Sequence, residues 1–110
     1  MRFLFSVIAN RYGEQIANPD EMASIDAFND KIEAAGQRVI AVGIAGLDTA
    51  VLFDNRQDLG HISQRPAIDS DTYMAGFWII ETDNESTAHT LASEASKACN
   101  RIIEVRQIFH

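Results

Sequence analysis

His61, Asp69 and Arg65 are the residues of this chain whose types best suit chemistry. A histidine titrates near neutral pH, so His61 suits general-base work. A guanidinium can hold a carboxylate through two parallel hydrogen bonds, which makes Arg65 a candidate anion holder. Together with Asp69 they could run a proton-transfer or lyase-like step, provided they converge in one concave site. The commoner role of each is plainer: a solvated loop arginine, an acidic turn, a surface histidine. Glu104 and Arg106 stand two apart on a strand and share a face, flanked by Ile102 and Ile108. That pattern fits either a polar sheet edge or part of a lined cavity, so Arg106 joins Arg65 as a ligand-binding candidate. Trp78 could add an aromatic wall beside Tyr73, although a tryptophan in a strand more often packs in a core or an interface.

The remaining reactive side chains read as structural. His89 and His110 are far from each other and from His61, and a metal site needs converging ligands at short spacings. No metal or other cofactor is expected. Asp69-Ser70-Asp71 lacks the glycine and the distal glutamate of a calcium loop. Cys99 falls in the apolar stripe of a helix, where a thiol is inert packing. There is no phosphate-cradling glycine loop, no serine elbow and no nucleotide fingerprint.

Such groups need a scaffold, and the chain is long enough for one domain, residues 1–110. Hydrophobic residues make up 46% of it, enough for a folded core. The net charge of −7 argues against nucleic acid and against an anionic membrane surface as partners. One cysteine allows no intrachain disulfide. The apolar start, Met1 to Ala9, is short for a signal peptide, so a soluble, cytoplasmic protein is expected.

Arg2–Asn10 reads as a strand apolar on both faces, the pattern of an interior strand. Asn18-Pro19-Asp20-Glu21 is a helix start with a cap, a proline at the first position and capping-box spacing. Met22, Ile25, Phe28 and Ile32 give that helix its stripe, and Gly36 ends it near residue 35. Arg38–Ile44 and Thr49–Phe53 read as strands joined near Gly46. Asp54–Gly60 is a polar turn, and His61–Gln64 a short returning strand that closes a hairpin. Pro66–Thr72 is irregular. Met74–Glu81 is a strand with bulk on both faces. Glu85–Cys99 is the second helix, capped by Asp83 or Asn84, with Ala88, Leu91, Ala92, Ala95 and Cys99 inward. Ile102–Phe109 is the last strand.

This order predicts an α+β, ferredoxin-like antiparallel sheet with both helices on one face. Two helices cover one face only, while two strands are apolar on both. A second copy of the chain is therefore the expected cover, giving a homodimer. Either Phe77 or Trp78 faces that partner, depending on strand parity.

Ala27-Phe28-Asn29-Asp30-Lys31-Ile32-Glu33-Ala34-Ala35-Gly36, Gln64 to Asp69, Met74 to Glu81 and Ile103-Glu104-Val105-Arg106 occur here in one order. In these pieces and in length, the chain resembles the YCII-related family, in its DGPF-domain branch. Of the four-residue Asp-Gly-Pro-Phe signature it keeps Pro66; Gln64, Arg65 and Ala67 replace the others, and Asp69 keeps the acidic character further on. The resemblance implies a ferredoxin-like fold that dimerises into an α+β barrel, with a pocket near the signature; His61 stands near that region of the sequence. Some relatives are linked to dehydrochlorination of an aromatic ring through a His/Asp pair, whose histidine has no match here. Others are encoded beside sigma factors. Three functions follow: a homodimeric small-molecule-binding or regulatory protein, foremost because the signature aspartate is missing; a small-molecule enzyme in the barrel pocket; and an interaction module linked to sigma-factor regulation.

Overall fold

A computed structural model describes residues 1–13 and 17–109. Strand β1, Arg2–Asn10, carries Phe, Leu, Val and Ile on both faces and lies inside a four-stranded sheet. Helix α1, Pro19–Ala34, starts as its residues dictate. Asn18 Oδ1 accepts the Glu21 N–H at 2.9 Å, and Asn18 Nδ2 donates to Glu21 Oε1 at 2.9 Å. It ends at Gly36, whose φ of 70° costs a glycine little. There the Gln37 N–H reaches back to the Ile32 carbonyl and the Gly36 N–H to that of Glu33, a Schellman closure.

Strand β2, Arg38–Gly43, follows, then β3, Leu52–Asp54, and β4, His61–Ser63. Strand β5 is Thr72–Glu81, helix α2 Glu85–Cys99, and β6 Ile102–Gln107. Asn84 is the cap of α2, accepting the Thr87 N–H at 2.8 Å, and Asn100 closes the helix with φ of 51°. The sheet runs β2-β5-β1-β6 with antiparallel neighbours, so two β-α-β halves interleave in ferredoxin-like order.

Both helices lie on one face. Phe3, Phe5, Trp78 and Ile80 from the sheet meet Phe28 and Ile32 of α1 and Ala88, Leu91, Ala92, Ala95 and Cys99 of α2. Met22, the first member of the α1 stripe, is half exposed. The pairing of Phe5 with Trp78 fixes the parity. Trp78 looks toward the helices, and Phe77, opposite Ser6, looks away. The helix-free face carries Leu4, Ile8, Phe77 and Ile79 from the central strands and Ile40 and Val42 from β2. Ile102, Glu104 and Arg106 of β6 complete it.

The middle of the chain departs from the sequence expectation. Residues 47–49 form a single helical turn, so the strand expected from Thr49 begins only at Leu52; the Thr49 N–H and hydroxyl both bond the Gly46 carbonyl and curl the segment. Strand β3 is therefore only three residues long. It pairs with β4 and not with β2. The expected returning strand and hairpin are present, but as a separate two-stranded ribbon whose strands pack chiefly on each other. Its Phe53 and Ile62 are 72% and 66% exposed. This ribbon helps to stretch the chain to a radius of gyration of 15.8 Å, against about 13 Å for a compact chain of this length. The last strand stops at Gln107, two residues short of the expected end.

Candidate functional site

At one end of the sheet the helix-facing surface is bare. Strand β2 offers Ala41 and Gly43, β5 offers Gly76, and β1 offers Val7, so no large side chain rises from the floor. Above it lie Ile25 and Asn29 of α1. The gap between is a cavity of about 320 Å³ with an open mouth, within the size range of small-molecule sites.

The two glycines differ in what they permit. A Cβ on Gly76 would lie 2.6 Å from the Val42 carbonyl oxygen, so the close approach of β2 and β5 demands glycine there. A Cβ on Gly43 would meet nothing within 4 Å. That position is small although the backbone does not require it to be.

Three side chains give the cavity polarity. The Trp78 indole N–H donates to Asn29 Oδ1 at 2.7 Å, and the Phe28 ring stands edge-on to Trp78 with centroids 5.4 Å apart. Arg101, just past α2, donates to Glu21 Oε2 at 3.1 Å and to the Cys99 and Asn100 carbonyls. Both partners of this ion pair are nearly buried, at 17% and 12% exposed. The pair ties the first turn of α1 to the end of α2. The Ser96 hydroxyl, donating to the Arg101 carbonyl at 2.6 Å, secures that residue's backbone. Cys99 also borders the cavity. Burial pushes its thiol above the ordinary range, an effect that the nearby Arg101 partly offsets.

Of the candidates read from sequence, Trp78 lines this cavity. His61 is exposed at the head of β4 on the ribbon, opposite Asp54 in register. The Asp54 carboxylate is held by Arg56 at 2.6 and 2.8 Å, which lowers its pKa. Asp69 is an exposed partner of Arg11 at 2.7 Å, a contact that raises the arginine's pKa. No hydrogen bond or ion pair joins His61 to Asp69 among the described residues. Arg65 is exposed just beyond β4. Arg106 is exposed on the helix-free face, opposite Leu4. The arginine of the cavity wall is Arg101. His89 is an exposed partner of Glu85 on α2, and His110 lies outside the described residues. Among the described residues no cluster of His, Cys, Asp or Glu could hold a metal ion. None of their helices is long and apolar enough to cross a membrane.

Sequence reasoning passed over Asn29, Glu21, Arg101 and the glycine floor. Asn29 did leave a signal. It falls four residues after Ile25 and three before Ile32, a polar residue set within the inward stripe of α1.

No family model matches the chain, and neither does any curated protein. Among solved structures the fold is similar to that of 5-chloro-2-hydroxyhydroquinone dehydrochlorinase (TftG) from Burkholderia phenoliruptrix AC1100, in complex with 2,5-dihydroxybenzoquinone. The TM-score is 0.60 over 100% of this chain and 95% of that one, at 18% sequence identity. At that identity the shared property is the fold, an α+β sheet with two helices on one face.

Proposed function

We propose that this chain is a homodimeric, small-molecule-binding domain of the YCII-related kind, spanning residues 1–110 and working in the cytoplasm, with its ligand seated between α1 and the bare end of the sheet. The observation that carries the reading is the floor of that cavity. Protein interiors close-pack, and a floor of Ala41, Gly43 and Gly76 beneath α1 leaves space, most plainly at Gly43, that a larger side chain would fill. The likeness of fold to TftG, whose structure holds a small dihydroxybenzoquinone, supports a small organic ligand. Gly43 supplies the test. Gly43→Leu places a side chain where a Cβ meets nothing, so the fold should survive while the cavity fills. In a thermal-shift screen against small organic acids and phenols, compounds that stabilise the wild type should fail to stabilise Gly43→Leu. Equal shifts in both proteins would place the ligand elsewhere.

The dimer rests on the helix-free face. Ile40, Val42 and Met74 are 41%, 36% and 41% exposed there, beside half-buried Leu4, Ile8, Phe77 and Ile79. Leaving such side chains in water forgoes roughly 1.5–3 kcal/mol for each one fully buried by a partner. A twofold pairing of these faces covers both at once. The exposed ribbon, with Phe53 and Ile62, can lie over the second copy. Light scattering at micromolar concentration should give about twice the chain mass of 12.2 kDa, and Phe77→Glu should halve the value. A monomeric wild type would end this part of the reading.

The enzyme alternative draws on TftG being a dehydrochlorinase. It would need a proton acceptor at the cavity. Among the described lining residues the titratable groups are Cys99, a thiol that burial keeps protonated, and Arg101, which is paired with Glu21. The binding reading therefore takes precedence. Turnover of a bound compound by the wild type would reverse that order.

A further inference from the structure

Taking the cavity as a ligand site, we infer that Asn29 is its specificity-determining donor and that Trp78 sets its polarity, selecting ligands that present an acceptor oxygen (a carbonyl, carboxylate or phenolate) beneath α1. An asparagine amide can offer either its oxygen or its nitrogen to a ligand, depending on how it is turned. Here the choice is made. An indole nitrogen only donates, so the group it bonds at 2.7 Å must be Oδ1 of Asn29. That bond occupies the oxygen and fixes the amide plane. The two N–H groups of Nδ2 have no hydrogen-bond partner among the described residues, and Asn29 lines the cavity. Trp78 is itself 4% exposed and braced edge-on by Phe28, so the clamp does not swing away. The site thus meets its ligand with N–H donors on a largely apolar wall. A ligand offering only N–H groups would leave those donors unpaired, and an unpaired buried donor is costly.

The test uses two probes of nearly equal shape: acetophenone, which carries an acceptor oxygen, and ethylbenzene, which does not. Binding is followed through the amide resonances of Ala41, Gly43 and Gly76 in the isotopically labelled protein. Asn29→Asp keeps an oxygen for the Trp78 N–H and replaces the donor by a second acceptor, so it preserves the internal bond while reversing the wall. The ratio of acetophenone to ethylbenzene affinity should be about fivefold higher in the wild type than in N29D, the worth of one net hydrogen bond. Comparing ratios removes the difference in hydration between the probes. In a second variant, Trp78→Phe, the amide is free to turn over and the ratio should fall between those two values. Within the wild type, the Asn29 side-chain amide resonances should move with acetophenone and stay in place with ethylbenzene. That measurement stands even if a variant folds poorly. An equal ratio in wild type and N29D, with both probes bound at the cavity resonances, overturns the role of Asn29 and leaves the cavity as a ligand site. Resonances that move with neither probe overturn the cavity reading and this inference with it.

Discussion

Replacing Phe28 by alanine probes the part of the core on which the site rests. Phe28 is 6% exposed, sits between the helix and the sheet, and meets Trp78 edge-on at 5.4 Å. Truncating a buried phenylalanine costs about 3–5 kcal/mol, depending on how far the surroundings collapse into the hole. Collapse is restricted here, because the Asn29 hydrogen bond and the β5 backbone hold Trp78 in place. The lost edge-to-face pairing adds to the cost. We expect about 4 kcal/mol, a large share of the roughly 5–15 kcal/mol that a domain possesses. With an unfolding entropy of about 2.1 cal/mol/K per residue, the chain's unfolding entropy is about 0.23 kcal/mol/K, so the melting temperature should fall by about 17 °C. Urea denaturation at one fixed protein concentration gives the free energy directly, the fixed concentration being needed because dimerisation would add to apparent stability. Met22→Ala is the matched control. It lies on the same stripe but is 49% exposed, and should cost less than about 1 kcal/mol. A loss below about 1 kcal/mol for Phe28→Ala, or equal losses for the two variants, would show that α1 does not bury the face described here.

Other expectations follow from single contacts. Asn84→Ala removes the acceptor for the Thr87 N–H and should lower stability by about 1 kcal/mol in the same urea assay; no change would mean that the cap is idle. Gly36→Ala forces a Cβ into a left-handed residue with φ of 70° and should cost about 1 kcal/mol, although the added methyl touches nothing within 4 Å; an unchanged midpoint would show that the Schellman turn relaxes freely. Cys99 makes a pH prediction. Burial raises its thiol pKa above the ordinary value of 9.0, so the unfolded chain gives up that proton first as pH rises. Wild type and Cys99→Ala should keep a constant stability difference below about pH 8, and the wild type should lose ground above pH 9. A difference that stays flat to pH 10.5 would refute the burial argument.

Much of the scaffold was legible because it obeys local rules. All five residues read as the inner stripe of α2 are buried, Asn18 caps α1 as read, and of the two candidates Asp83 and Asn84 it is Asn84 that caps α2. The extent of β1 matches its reading at both ends. Local rules do not reach what depends on partners distant in sequence. Thr49–Phe53 has the composition of a strand, yet its length and pairing were decided by a helical turn at Leu47 and by β4 rather than β2. The parity of Phe77 and Trp78 is invisible locally because β5 carries bulk on both faces; only the register against Phe5 resolves it. His61 drew attention through its side-chain type, and the fold sets it on a ribbon away from the cavity. Side-chain chemistry names the groups able to act, whereas position in the fold decides which of them meet a ligand.

The cavity was hidden for a further reason: it is defined by what is missing. Ala41, Gly43 and Gly76 look like ordinary small residues in strands, and nothing in their spacing says that they face the same gap. Several fixed contacts involve its lining residues. Gly76 cannot be enlarged against the Val42 carbonyl, Trp78 is tied to Asn29, and the Glu21–Arg101 pair braces the start of α1 against the end of α2. Each of these places polar atoms or backbone where simple hydrophobic packing would have been easier. A nearly buried ion pair is weak as a source of stability, since desolvating two charges offsets most of their attraction. It joins the first turn of α1 to the residue just past α2, and its Arg101 lines the cavity. A close-packed end would carry a larger side chain at Gly43, where a Cβ meets nothing within 4 Å, and the proposed ligand is what would take up that volume.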